Sequence, residues 1–232
     1  MAPLLLGHRG ARASRHIPEN TLASFELCLQ HGCDGFEFDV RQSADGEAVI
    51  CHDARYNGME IAKTPAKSLA LPTLAEVLQH FASRAFLGIE LKVAGLEQQT
   101  ITVLRKHPPQ KGYVVSSFLP EVLRAVHGLD AGVHLGLLCE KRSQLPMESR
   151  ASRPAGPFDF AQGRLARMPV TWVIPRADLV DQPLVKEFHA SGKKVMVWTV
   201  NRTEDVRRFS EWGVDAIISD ETELVARVVR VP

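Results

Sequence analysis

Short apolar runs that end in charged residues constrain this chain most. Leu4-Leu5-Leu6-Gly7 runs into His8-Arg9-Gly10, Phe36-Glu37-Phe38 into Asp39, Val49-Ile50-Cys51 into His52-Asp53, and Leu87-Gly88-Ile89 into Glu90-Leu91-Lys92. A short apolar run bounded by turn signals reads as a strand buried on both faces. Such strands belong to parallel sheets covered by helices, and an α/β barrel built from them places its catalytic groups at the strands' carboxyl ends. Three carboxylates, two histidines, an arginine and a lysine delivered in this way suggest a divalent cation, an acid/base pair and a bound phosphate.

The segments between these runs carry helical periodicity, so strands and helices alternate. Strand one (Leu4–Leu6) precedes a helix over Thr21–His31, with Leu22, Phe25, Cys28 and Leu29 on one face and Gly32 as its stop. Strand two is Gly35–Val40, and the Asp45-Gly46 turn returns Glu47–Cys51 as an extra antiparallel strand. Thr73 caps a helix over Leu74–Ser83, with Glu76 at capping-box spacing. Phe86–Leu91 is strand three with helix Leu96–Lys106, Tyr113–Ser116 is strand four with helix Pro120–Val126, and Val133–Leu138 is strand five. Val170–Ile174 is strand six with helix Pro183–Ser191, Lys194–Val200 is strand seven with helix Thr203–Trp212, and Ala216–Ile218 is strand eight with helix Glu221–Val229. Eight strands alternating with helices predict an α/β fold, a single (β/α)8 or TIM barrel over residues 1–232. Lys141–Pro157, rich in Pro and Arg, reads as a surface loop, either a solvated connection or a substrate lid, that leads into a short helix over Phe158–Arg167.

Bulk properties narrow the function class. A net charge of +1 lacks the basic excess of a nucleic-acid binder. The apolar start Met1–Leu6 is too short for a signal peptide, and no run approaches the roughly 18 residues of a membrane span. Cys28, Cys33, Cys51 and Cys139 have neither zinc-site nor C-x-x-C spacing. These features predict buried, reduced thiols in a cytoplasmic protein with no stable membrane anchor.

The residue chemistry follows from position. Glu37 and Asp39 are two apart on a strand and share a face. Two acids inside a barrel are costly unless neutralised, either by neighbouring Arg and Lys or by a hard divalent ion; Glu90 supplies a third carboxylate. Histidine titrates near neutrality, so His8 and His52 suit a base for the nucleophile and an acid for a leaving alkoxide. Arg9 and Lys92 are the phosphate-side cations, with Lys92 alternatively a partner for Glu37 or Glu90. Asp53 either orients His52 or accepts loop N–H groups. Asn20 is a good helix N-cap, and Glu19 lies where it can order His8 or Arg9.

Taken in order, Gly7-His8-Arg9-Gly10, Pro18-Glu19-Asn20-Thr21, Glu37-x-Asp39, His52-Asp53, Glu90-Leu91-Lys92, Ser117-Phe118, Trp198-Thr199-Val200-Asn201 and Gly213-Val214-Asp215 resemble the signatures of glycerophosphodiester phosphodiesterases. The resemblance implies a small-molecule glycerophosphodiester substrate, hydrolysed to sn-glycerol 3-phosphate and an alcohol. It implies Glu37, Asp39 and Glu90 as ligands of Mg2+ or Ca2+, His8 and His52 as the acid/base pair, and Arg9 and Lys92 at the phosphate. Phe118 and Trp198 would wall the glycerol group or serve only as core aromatics, and Asn201 would bond substrate or loop. Family members usually carry a longer insertion after the His-Asp pair, where this chain has only Ala54–Leu71. A lysophospholipase D-type phosphodiesterase and a non-catalytic phosphoglycerol-binding barrel are the alternatives. The first needs an amphipathic docking surface, and the second has no need of both histidines.

Overall fold

The computed structural model describes residues 2–145 and 168–230. In chain order its strands are β1 (Leu4–His8), β2 (Gly35–Gln42), β3 (Ala48–Ile50), β4 (Arg55–Tyr56), β5 (Met59–Glu60), β6 (Phe86–Leu91), β7 (Tyr113–Ser117), β8 (Leu135–Cys139), β9 (Trp172–Pro175), β10 (Lys194–Val197) and β11 (Ala216–Ser219). The helices are α1 (Leu22–Gln30), α2 (Ala66–Leu69), α3 (Leu74–Phe81), α4 (Glu97–Lys106), α5 (Pro120–Leu129), α6 (Gln182–Ala190), α7 (Thr203–Trp212) and α8 (Thr222–Arg230). The strand order β1-β11-β10-β9-β8-β7-β6-β2, closed by β1 against β2, is an eight-stranded parallel TIM barrel. β3 is the expected extra antiparallel strand, pairing Val40 with Ile50 and Gln42 with Ala48.

Period-two alternation sorts the strand residues into two cores. Phe36 and Phe38 of β2 and Leu87 and Ile89 of β6 face outward, into the layer between sheet and helices. There Phe25 of α1 stacks on Phe36 with ring centroids 4.2 Å apart, and Phe81 of α3 meets Phe36 edge-on at 5.1 Å. Leu6, Phe86, Val114, Leu138, Ile174, Met196 and Ile218 form a separate cluster inside the barrel. Followed toward the carboxyl end, the inward columns turn polar: Leu6 then His8, Gly88 then Glu90, Ile218 then Asp220. The sequence pattern of apolar runs ending in charge is this column seen in one dimension.

Element ends differ from expectation where burial and pairing part company. β8 and β9 each start two residues later than expected. Val133 and Val170 are buried, as strand residues would be, but lie on the approach to the ladder. β10 stops at Val197; beyond it Trp198 and Val200 still donate single N–H groups to Pro175 and Ile218 in flanking strands, without a continuous ladder. Ala54–Leu71 is more than a connection: it holds the β4–β5 hairpin and α2, and Ile61 and Leu69 pack on Val49 and Cys51. Most of the expected Lys141–Pro157 loop, and the expected helix over Phe158–Arg167, lie outside the described residues. All four cysteines are buried and unbridged. No helix among the described residues is long and apolar enough to cross a membrane.

Gly35 opens β2 and has the closest backbone approach among the described glycines. A Cβ there would sit 1.8 Å from the carbonyl oxygen of Phe86, backbone that cannot swing aside. Gly35→Ala should destabilise the protein by at least the ~1–3 kcal/mol typical of overpacking, read as a lowered denaturant midpoint. An unchanged midpoint would show that β2 and β6 slide apart freely.

Candidate active site

At the carboxyl ends of the strands the barrel opens into a cavity of about 200 Å³. Eight of the nine expected site residues line it: His8 and Arg9 from the end of β1, Glu37 from β2, His52 after β3, Glu90 and Lys92 from the end of β6, Phe118 after β7 and Trp198 after β10. Asp39, the ninth, is 1% exposed and sits behind Glu37 with its carboxylate on the other two acids. Val114, Leu138, Ile174 and Met196 make the floor apolar.

Ligand oxygens of Glu37, Asp39 and Glu90 all lie within 4.8 Å of one another. Burial pushes the Glu37 carboxyl well above the usual carboxylate range, and repulsion from Asp39 and Glu90 adds to it. Burial likewise lifts Glu90, to about 7, with Asp39 pushing the same way and Lys92 opposing. Asp39 resists its own burial and stays low, because Lys92, Asn20 and Arg9 favour its charge. Lys92 Nζ stands 2.9 Å from Glu90 and 3.3 Å from Asp39, while among the described residues Glu37 accepts one hydrogen bond, from the Arg9 backbone N–H at 3.2 Å. Lys92 therefore partners Glu90, as one expectation had it, and not Glu37. Oxygen donors that converge, repel one another and are incompletely neutralised fit a hard divalent cation.

The loop carrying Arg9 is held by local strain. Arg9 and Asn20 both adopt left-handed conformations, with φ of 55° and 57°, which non-glycine residues seldom take. Asn20 N–H donates to the Arg9 carbonyl at 3.0 Å, and its side-chain Nδ2 donates to Asp39 at 2.9 Å. Asn20 is thus not the helix cap. Thr21 caps α1, its hydroxyl accepting from Ser24 N–H, because the left-handed turn sends the Asn20 amide into the site. The Arg9 guanidinium donates to Glu19 at 2.8 Å, so Glu19 orders Arg9 and does not touch His8. Arg9 Nε lies 3.3 Å from Asp39 but is not aligned to donate to it, which leaves a buried N–H beside the acids without a hydrogen bond among the described residues.

Each histidine has its Nδ1 on a carboxylate 2.7 Å away: His8 on Asp220 and His52 on Asp53. Asp53 therefore orients His52. Burial pushes His52 below the ordinary histidine value, against the pull of Asp53. Phe118 and Trp198 meet edge-on at 5.6 Å, with Lys92 Nζ 5.9 Å from the Phe118 ring centre. Asn201 bonds Asp220, in its loop role. Sequence reasoning missed Asp220, although it ends the apolar run Ala216–Ile218 in the same way that Glu90 ends its own. It also missed Arg12, which joins Asp220 to Glu19.

Known proteins share this architecture over the full chain. The model of the glycerophosphoryl diester phosphodiesterase family matches residues 8–98 and 89–224. A glycerophosphodiester phosphodiesterase of Caldanaerobacter subterraneus is 30% identical, with 99% of each chain covered, and one of Bacillus subtilis is 26% identical, covering 97% of this chain and 86% of its own. Among solved structures, an Oleispira antarctica phosphodiesterase in complex with the product sn-glycerol-3-phosphate has 27% identity and a TM-score of 0.79, covering 99% of this chain and 97% of its own. A match that runs from His8 in the first strand into the last helix, with a full-length relative at 30% identity, makes this chain a member of the glycerophosphoryl diester phosphodiesterase family.

Proposed function

We propose that residues 1–232 form one catalytic domain that hydrolyses glycerophosphodiesters to sn-glycerol 3-phosphate and an alcohol. As a family member the chain is a phosphoric diester hydrolase. The observation that carries the reading is the convergence of three buried carboxylates in one cavity with two carboxylate-anchored histidines. Glu37, Asp39 and Glu90 would hold a divalent ion, magnesium or calcium, which when bound polarises the phosphoryl oxygens and holds the glycerol hydroxyls.

The chain's own residues supply the rest. One histidine takes a proton from the nucleophile, either water or the substrate's 2-hydroxyl, as the new P–O bond forms. The other returns a proton to the alkoxide as the old P–O bond breaks. Lys92 and Arg9 offset the charge of Asp39, and Lys92 that of Glu90; with a divalent ion sharing that work, they would pair phosphate oxygens. Phe118 and Trp198 give the glycerol carbons an apolar wall. Release of choline and ethanolamine from the two matching glycerophosphodiesters, with and without chelator, tests the reading directly. Failure to release either alcohol at any metal concentration would sink it.

Selectivity should be uneven. The glycerophosphate half meets the acids, the cations and the aromatic wall. The rim beside His52 is open, with Asp53 78% exposed, because the insertion there is short. The choline, ethanolamine, glycerol and inositol diesters should differ in kcat/KM by no more than about tenfold, or about 1.4 kcal/mol of transition-state discrimination. A thousandfold preference for one alcohol would show that the rim recognises head groups.

A further inference from the structure

Asp220, one residue beyond β11, is the hub of a polar network that no step above requires. Its Oδ1 lies 2.7 Å from His8 Nδ1 and accepts from Arg12 at 3.1 Å, while its Oδ2 accepts from Asn201 Nδ2 at 2.8 Å. The orientation of that amide is fixed independently. Asn201 Oδ1 accepts from the Asp220 N–H at 2.9 Å and the Ser219 hydroxyl at 3.1 Å, so Nδ2 must face the carboxylate. Burial alone would raise the Asp220 carboxyl, but hydrogen bonds from His8 and Asn201 and the charges around it hold it far below the usual range. An ionised carboxylate only accepts, so the proton between Asp220 and His8 sits on Nδ1. Arg12 also bonds Glu19, which bonds Arg9, and the chain of alternating charge therefore runs from His8 to the phosphate-side arginine.

We propose that Asp220 is the positioning residue of His8: it fixes the ring and its Nδ1–H tautomer, which leaves Nε2 as the nitrogen offered to the substrate. Asn201 and Arg12 brace that carboxylate. The arrangement differs from that at His52, whose carboxylate is its own chain neighbour and largely exposed. An isolated imidazole exchanges tautomers freely; a half-buried, braced acceptor at Nδ1 removes that freedom before substrate arrives.

The proposal rests on the acid/base role given to His8, and a double-mutant cycle separates the two. Asp220→Asn, His8→Ala and the double variant are compared for kcat and KM on one glycerophosphodiester, with metal affinity followed by calorimetry. Asp220→Asn should lower kcat by about 10²-fold or more with KM within about threefold, and should add nothing when His8 is already absent. Metal affinity should stay unchanged. Nitrogen-15 spectra of the neutral His8 ring should show the Nδ1–H form in the parent and its loss in Asp220→Asn, and Asp220→Glu should recover part of kcat. Unchanged kcat in Asp220→Asn, or an equal loss with and without His8, would overturn the proposal, the latter making Asp220 a brace for the fold. Full activity of His8→Ala would overturn the role of His8 instead. If Asp220→Asn does not accumulate as folded protein, the same cycle with Asp220→Glu and the parent His8 spectrum decides the question.

Discussion

Removal of divalent ions should abolish turnover, and added magnesium or calcium should restore it. The expectation comes from the imbalance among Glu37, Asp39 and Glu90, whose oxygens crowd within 4.8 Å. Lys92 and Arg9 both stand against Asp39, and Lys92 also pairs with Glu90, but Glu37 has no side-chain ion pair among the described residues. Asp39→Asn and Glu90→Gln should each weaken metal binding by more than the ~10–100-fold that loss of an outer-sphere partner costs, without unfolding the chain. Proton linkage gives a second reading of the same site. Metal ligands must be deprotonated, and burial holds the Glu90 proton on up to about pH 7 and raises the Glu37 carboxyl well above the usual carboxylate range. Metal binding at pH 6 should therefore release protons, and apparent affinity should rise with pH through 7. Calorimetry in buffers of different ionisation enthalpy measures both. Full turnover after verified metal removal, or binding with no proton release, would contradict the assignment of the three acids.

The barrel and most of this site were legible because one rule governs both. Parallel strands buried on both faces read as continuous apolar runs, and the inward column turns polar only at the carboxyl end, so Glu37, Asp39, Glu90 and His8 stand out against Phe36, Ile89 and Leu6. Asp220 obeyed the same rule and was overlooked because strand eight is short and its polar end, Ser219-Asp220, runs straight into α8. Asn20 was misread for a different reason. Asn and Thr are both good caps, and local sequence does not reveal which of two adjacent ones takes the left-handed turn; the contact that decides it, Asn20 to Asp39, is 19 residues away. Strand limits failed at Val133 and Val170, where burial without pairing gives the same apolar signal as a ladder, and at Val200, whose single bond to Ile218 does not extend the strand. The partners of Glu19 and Lys92 were each narrowed to two candidates, and only three-dimensional packing chose Arg9 for one and Glu90 with Asp39 for the other.

Replacement of either histidine should lower kcat by roughly 10²–10⁴, the usual worth of general acid or base catalysis, while leaving metal affinity close to that of the parent. The two losses should differ in kind. Burial places His52 below the ordinary histidine value of about 6.5, which favours its neutral form and suits the base of the proposed mechanism. The acid role then falls to His8. The pH profile of kcat/KM should be bell-shaped, and its acidic limb should lie below pH ~6.5 and vanish in His52→Ala. A substrate with a nitrophenol leaving group needs no proton as it departs. It should rescue His8→Ala toward parent rates and leave His52→Ala slow, because the nucleophile there still has no base. Rescue of the His52 variant alone would exchange the two roles. Rescue of both, or of neither, would mean that the histidines do not divide the proton transfers, and the carboxylates that anchor them, Asp220 and Asp53, would then have to be read as holding a binding site in shape.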